Sequence, residues 1–129
     1  MIELKNKHPR ILVVGDLMID HYLWGNCNRI SPEAPVQVVA VNQESSVRGG
    51  AGNVVNNLKQ LGAAVDIMSV VGQDEQAQEL THMLKQTGIA NIQLIQQEGR
   101  TTSKKSRVIA AHQQVLRIDK ESTAEITIG

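Results

Sequence analysis

The sequence predicts an α/β fold: part of a doubly wound sheet with a small added β-layer. Three observations carry this. A short apolar run, Ile11-Leu12-Val13-Val14, stops at Gly15-Asp16, as a strand covered on both faces does. A helical segment and a second strand follow later, punctuated by Gly62 and Gly72. Between these lies Arg48-Gly49-Gly50-Ala51-Gly52-Asn53, a glycine-rich stretch that leads from β-prone sequence into a helix.

Taken in order, the first strand ends where α/β sheets place their ligands, and Asp16 and Asp20 lie just beyond it. Asp16 reads as a solvated turn carboxylate. From His21 to Val47 the pattern becomes short β-prone pieces: Tyr22 to Trp24 halts at Gly25-Asn26, and Ser31-Pro32-Glu33-Ala34-Pro35 is a rigid non-helical link. Val36 to Val41 then resumes. A β-layer inserted before any helix reads as a lid or an oligomer contact.

After the glycines, Val54, Leu58 and Leu61 recur at helical spacing as one apolar face, with Gly62 as a left-handed cap. Ala63 to Val71 is the next strand. Asp74 is placed to cap a second helix carrying Ala77, Leu80 and Leu84 on one face and ending at Gly88. Ile92 to Ile95 is a further strand, and Thr101 to Ala111 and Gln113 to Asp119 form two more around His112.

Composition narrows the function. The 129 residues hold one ordinary domain, and 13 basic against 13 acidic side chains give no net charge to attract nucleic acid or an anionic membrane. No membrane-spanning or leader-like apolar run is present near the N-terminus, so the expectation is a soluble cytoplasmic protein. Cys27 is alone, in keeping with a reducing compartment. His8, His21, His82 and His112 are scattered, read as surface or packing residues, and predict no metal site.

Any anion site must therefore be local. Gly99 to Ile118 contains Arg100, Lys104, Lys105, Arg107 and Arg117 and no acidic residue. Lys105 and Arg107 are two apart, so on a strand they share a face and suit one phosphate; equally, such lysines guard an exposed sheet edge. The glycine stretch has two readings as well. Either its N-H groups and Asn53 serve a ligand, or it is a tight strand-to-helix turn.

Gly49-Gly50-Ala51-Gly52-Asn53 followed at intervals by Gly62 and Gly72 resembles the first signature of the ribokinase-like (PfkB) carbohydrate kinases. Val55 departs from it, standing where that family has a small residue. Within the family, Val14 to Asp20, Asn28-Arg29-Ile30-Ser31-Pro32-Glu33-Ala34-Pro35-Val36, Lys105 to Ile109 and Gln113 to Asp119 resemble the kinase region of the bifunctional heptose-7-phosphate kinase/ADP-heptose synthases. The resemblance runs from about Arg10 to Asp119.

It implies a kinase that moves the γ-phosphate of ATP, with Mg²⁺, to the anomeric hydroxyl of D-glycero-D-manno-heptose 7-phosphate, on the way to ADP-heptose and the lipopolysaccharide core. It implies a core over 10–20 and 48–98, lid segments over about 21–47 and 100–119, and a homodimer formed through the lid. Asp20 falls at the family's sugar-hydroxyl acceptor, Gly49, Gly50 and Asn53 match its sugar-binding loop, and Lys105 and Arg107 match a basic pair in the lid, assigned to the 7-phosphate. The family's catalytic base lies in a Gly-Ala-Gly-Asp motif that these 129 residues do not contain. The expectation is thus the sugar-binding N-terminal part of a kinase domain, inactive alone and binding no ATP or Mg²⁺ itself, its catalytic residues outside this chain.

Competing readings are another sugar kinase of the same fold and a non-catalytic lid or dimerisation module. A dinucleotide-binding domain is disfavoured: Val55 stands where its fingerprint needs glycine or alanine, and Asp66 falls at the start of the next strand.

Overall fold

Two sheets meet along a shared corner in the computed structural model, which describes residues 8–127. The leader reading drew partly on residues 1–7, which lie outside the described ones. The elements run β1 (Arg10–Val14), β2 (Leu17–Ile30), β3 (Gln37–Gly50), α1 (Ala51–Gln60), β4 (Ala64–Val71), α2 (Glu75–Lys85), β5 (Asn91–Gln96), β6 (Ser103–Ala110) and β7 (Gln113–Lys120). One sheet is parallel, in the order β1-β4-β5; the other has the order β3-β2-β6-β7.

The parallel sheet buries one face. Val65, Ile67 and Val71 of β4 pack with Val55 of α1 and with Leu80 and Leu84 of α2, and Ile11, Val13, Ile92 and Leu94 extend this layer on either side. The register Ile11↔Val65, Val13↔Ile67 and Ile92↔Ile67 keeps these side chains level across three strands. The opposite face is only partly covered, with Met68 and Val70 half-buried and Ile126 close by. Leu12, Val14 and Ile95 are exposed there, so the expectation that Ile11 to Val14 is covered on both faces fails: both helices pack on the other side.

The helices show what local sequence does and does not fix. In α2 the Asp74 side chain accepts the Ala77 N–H at 2.9 Å, and Ala77, Leu80 and Leu84 are the buried stripe, as read. In α1 the expected stripe is wrong. Val54 is exposed and Leu61, at the C-cap, is 83% exposed, whereas Val55 is completely buried with Ala51 and Leu58 packed beside it. The phase is set at the start: β3 passes directly into α1 at Gly50, whose φ of 58° and ψ of −129° suit glycine. Val55 is therefore the centre of the α1 contact. The helix ends as predicted at Gly62, with Gly62 N–H donating to Lys59 O and Ala63 N–H to Leu58 O, the paired bonds of a Schellman motif.

The second sheet is longer than its sequence suggests. β2 and β3 each run 14 residues as an antiparallel pair, joined through the proline link, where Ser31 N–H donates to Val36 O at 2.8 Å. Gly25-Asn26, read as a stop, instead coincides with register shifts at Trp24/Gly25 and Asn26/Arg29. A bulge and a turn draw on the same residue types, and here the strand continues. β6 pairs parallel with β2 and turns back into β7 through Ala111 and His112, both at positive φ (50° and 60°), a two-residue hairpin.

Candidate substrate site

Alternation along β2 sorts its residues into two roles. Leu17, Ile19 and His21 face inward and are buried, so Met18, Asp20 and Tyr22 face outward. The parallel register then sets Asp20 beside Lys105 and Tyr22 beside Arg107. Lys105 and Arg107 do share a face, and it is the face that carries Asp20.

Asp20 is the pivot. Its Oδ1 accepts from Arg107 Nη1 at 2.7 Å, while a β-carbon built at Gly49 would collide with Oδ2. Only glycine at 49 leaves the carboxylate that space. The Arg107 guanidinium also lies over the Tyr22 ring, 5.5 Å from its centroid, and Tyr22 stacks on Trp24 at 5.5 Å with 14° between the planes. The hydrogen bond to Asp20 raises the Arg107 pKa above its ordinary value, against the opposing effect of burial. Lys105 has no ion-pair partner among the described residues.

Gly50 is the N-cap of α1, and Asn53 is an exposed residue in its first turn. That turn has no side-chain cap and no acidic residue; Ala51 N–H donates to Asp16 O at 2.8 Å. Its remaining N–H groups suit oxygen atoms of a ligand. Asp16 itself contributes this carbonyl, and its side chain is exposed.

A cavity of about 380 Å³ is lined by Asp16, Leu17, Met18, Val70, Arg100, Ser103 and residues 121–126; none of Asp20, Gly49, Gly50, Asn53, Lys105 and Arg107 lines it, but Met18 and Ser103 stand two residues before Asp20 and Lys105 on their strands. The cavity lies at the carboxyl ends of the parallel strands, where α/β sheets take their ligands, and its volume suits a small molecule.

Two features escape the sequence reading. Arg117 and Asp119 stand on the same face, opposite Arg107 and Lys105 in register, and pair through Nε–Oδ1 at 2.9 Å and Nη2–Oδ2 at 2.9 Å. Their alternation with Arg107 and Lys105 was the available signal. The second is a knot that ties the lid to the core: Asp74 Oδ2 accepts from Thr102 N–H at 2.8 Å, and Thr102 Oγ1 accepts from Gly72 N–H at 2.9 Å. Burial works against ionisation of Asp74, but the bonds from Thr102 and Ala77 outweigh it and hold the carboxyl below its ordinary pKa.

Among the described residues no three of His, Cys, Asp and Glu gather as metal ligands. His21 is buried on the inner face of the lid, between Ser106 Oγ at 2.9 Å and the Glu44 carboxylate.

Comparison with known proteins gives the class. The profile of the pfkB family carbohydrate kinases matches residues 8–128, and the chain belongs to that family. More particularly, it is 61% identical over 124 residues to the bifunctional protein HldE of Sulfurimonas denitrificans, covering 96% of this chain and 26% of that protein. Against HldE of Aliarcobacter butzleri it is 62% identical over 121 residues, covering 94% and 25%. The chain thus spans about a quarter of the length of these curated relatives. Among solved structures, a carbohydrate kinase from Agrobacterium tumefaciens superposes with a TM-score of 0.69 at 22% identity, over 87% of this chain and 35% of the other. Ribokinase from Giardia lamblia gives 0.63 at 18% identity, over 88% and 36%. At such identities these two show the fold, which is ribokinase-like.

Proposed function

We propose that this chain forms the sugar-binding part of an ATP-dependent kinase that phosphorylates D-glycero-D-manno-heptose 7-phosphate at its anomeric hydroxyl, for ADP-heptose and lipopolysaccharide core synthesis. One observation carries the reading: a half-buried carboxylate, Asp20, and two cations, Lys105 and Arg107, share one strand face. The likeness to HldE over nearly the whole chain supports the choice of sugar.

In this reading Asp20, its carboxylate given room by Gly49, exchanges its bond with Arg107 for hydrogen bonds from sugar hydroxyls. Gly50 and Asn53 present the first turn of α1 to the same sugar, and Lys105 and Arg107 meet the 7-phosphate. Kinases of this family use ATP and Mg²⁺, which supply the transferred phosphoryl group and charge neutralisation around it. Among the described residues no three of His, Cys, Asp and Glu gather as ligands for the ion. What these residues do is bind and orient the acceptor; the removal of its proton is assigned to none of them.

Lys105→Ala tests the reading. It should weaken binding of heptose 7-phosphate by about tenfold to a hundredfold, the worth of a charge-assisted hydrogen bond, in isothermal titration. An unchanged affinity would remove Lys105 from the phosphate site.

A further inference from the structure

The ion pair between Asp20 and Arg107 joins the two ends of the proposed substrate site to each other. Its side chains are only 19% and 24% exposed, so either charge, left without a partner, carries a desolvation cost that water does not fully relieve. Of the neighbours, Lys105 lies beside Asp20 in register and has no ion-pair partner among the described residues, but in the proposed site it goes to the phosphate together with Arg107 and so is not free for Asp20. Arg117 is held by both oxygens of Asp119, and taking it to Asp20 would strand Asp119 instead.

Three kinds of ligand meet this pair differently. A plain sugar offers hydroxyls to Asp20, but to engage the carboxylate fully it must displace Arg107 and leave a half-buried cation unpaired. Inorganic phosphate offers Arg107 a counter-ion and leaves Asp20 unpaired. A sugar phosphate replaces both partners in one event, hydroxyl for guanidinium at Asp20 and phosphate for carboxylate at Arg107. Tyr22, stacked on Trp24, lies under the guanidinium and gives it a surface on which to turn from one anion to the other.

We propose that the Asp20–Arg107 pair is an exchange gate that selects sugars bearing a phosphate, by making neither half of the ligand sufficient to open the site. The gate rests on reading this face as a phosphosugar site. It makes Arg107 a specificity determinant in the empty protein as well as a phosphate ligand in the occupied one. Selectivity here comes from the penalty placed on the wrong ligand.

Isothermal titration of the chain with heptose 7-phosphate, unphosphorylated heptose and inorganic phosphate tests it. Arg107→Gln should weaken the sugar phosphate yet strengthen the unphosphorylated heptose by about five- to tenfold, because Asp20 is released. Asp20→Asn should strengthen inorganic phosphate by a similar factor, because Arg107 is released. A misfolded variant loses affinity for every probe, so these gains distinguish the gate from structural damage. If Arg107→Gln weakens the sugar phosphate and leaves heptose unchanged, the site reading stands and the gate falls. Absence of the phosphate gain in Asp20→Asn overturns the gate equally. If the unaltered chain does not prefer heptose 7-phosphate to heptose, the site reading itself fails and takes the gate with it.

Discussion

In the β1-β4-β5 layer the side chains of Val65, Ile67, Val71, Leu80 and Leu84 are at most 1% exposed, whereas every residue of β7 is exposed. The lid keeps few buried apolar side chains of its own beyond Val108 and Ala110, since Leu17 and Ile19 belong to the core cluster. What the lid has instead is backbone pairing along 14-residue strands, the charge pairs Arg107–Asp20 and Arg117–Asp119, and the hydrogen bond between His21 and Glu44. Core strands gain from removing apolar area from water, while a strand face that must meet a polar ligand has to stay wet and charged. The candidate site therefore sits where apolar burial is poorest. It is anchored at one end by Asp20, one residue beyond fully buried Ile19.

Leu80→Ala in α2 tests this difference most severely. It should cost about 2–5 kcal/mol by urea unfolding, the loss of a fully buried leucine plus its cavity. Leu116→Ala on β7, about half exposed, should stay within about 0.5 kcal/mol. Equal costs would mean that the two sheets are stabilised alike. A smaller effect is expected where they are tied together. Asp74→Ala removes the N-cap of α2 and the acceptor for Thr102 N–H, at about 1–2 kcal/mol. The Asp74 pKa is lowered by folding, so its contribution is complete above the ordinary carboxylate value of about 4 and lost as pH falls through the lower folded value. The gap between wild type and Asp74→Ala should accordingly close on acidification below about pH 4. A gap that is constant down to pH 2 would show that the bonds do not depend on the ionised carboxylate.

The same two regions differ in how far they can be read from the chain. Strand β4, the Asp74 cap and the stripe of Ala77, Leu80 and Leu84 are local signals with the right period, and the structure repeats them. The face of α1 was misread because its phase depends on Gly50, where strand passes to helix without a loop, and not on the spacing of apolar residues alone. That put Val54 and Leu61 inside, where both are found exposed, and left out Val55, which is completely buried. In the lid, the shared face of Lys105 and Arg107 follows from strand alternation and was legible. That Arg107 bonds to Asp20, 87 residues earlier, was not: it depends on the parallel register of β2 with β6, for which no local residue pattern exists. Thr102 reaching Asp74 escaped for the same reason.

The smallest expected effect concerns the ion pair of Lys104 with Glu79, which among the described residues is the only one that joins the lid to a helix of the core. Its atoms are 3.2 Å apart, and the side chains are 21% and 37% exposed, so solvent screens much of the attraction. The sheet that carries the lid has another hold on α2, at the end of β3, where Arg48 Nη1 donates to Met83 O at 3.1 Å. Lys104→Met should therefore cost no more than about 1 kcal/mol, and 1 M salt should shrink even that, because the Debye length falls to about 3 Å. Thermal unfolding of the two chains at low and high salt measures both quantities. A larger cost that vanishes with salt would mean that charge, and not the Asp74–Thr102–Gly72 knot, fixes the lid against the core. The substrate face would then shift with ionic strength, and a salt-dependent affinity for heptose 7-phosphate in the unaltered chain would have to be divided between screening of Lys105 and loosening of the sheet that carries it.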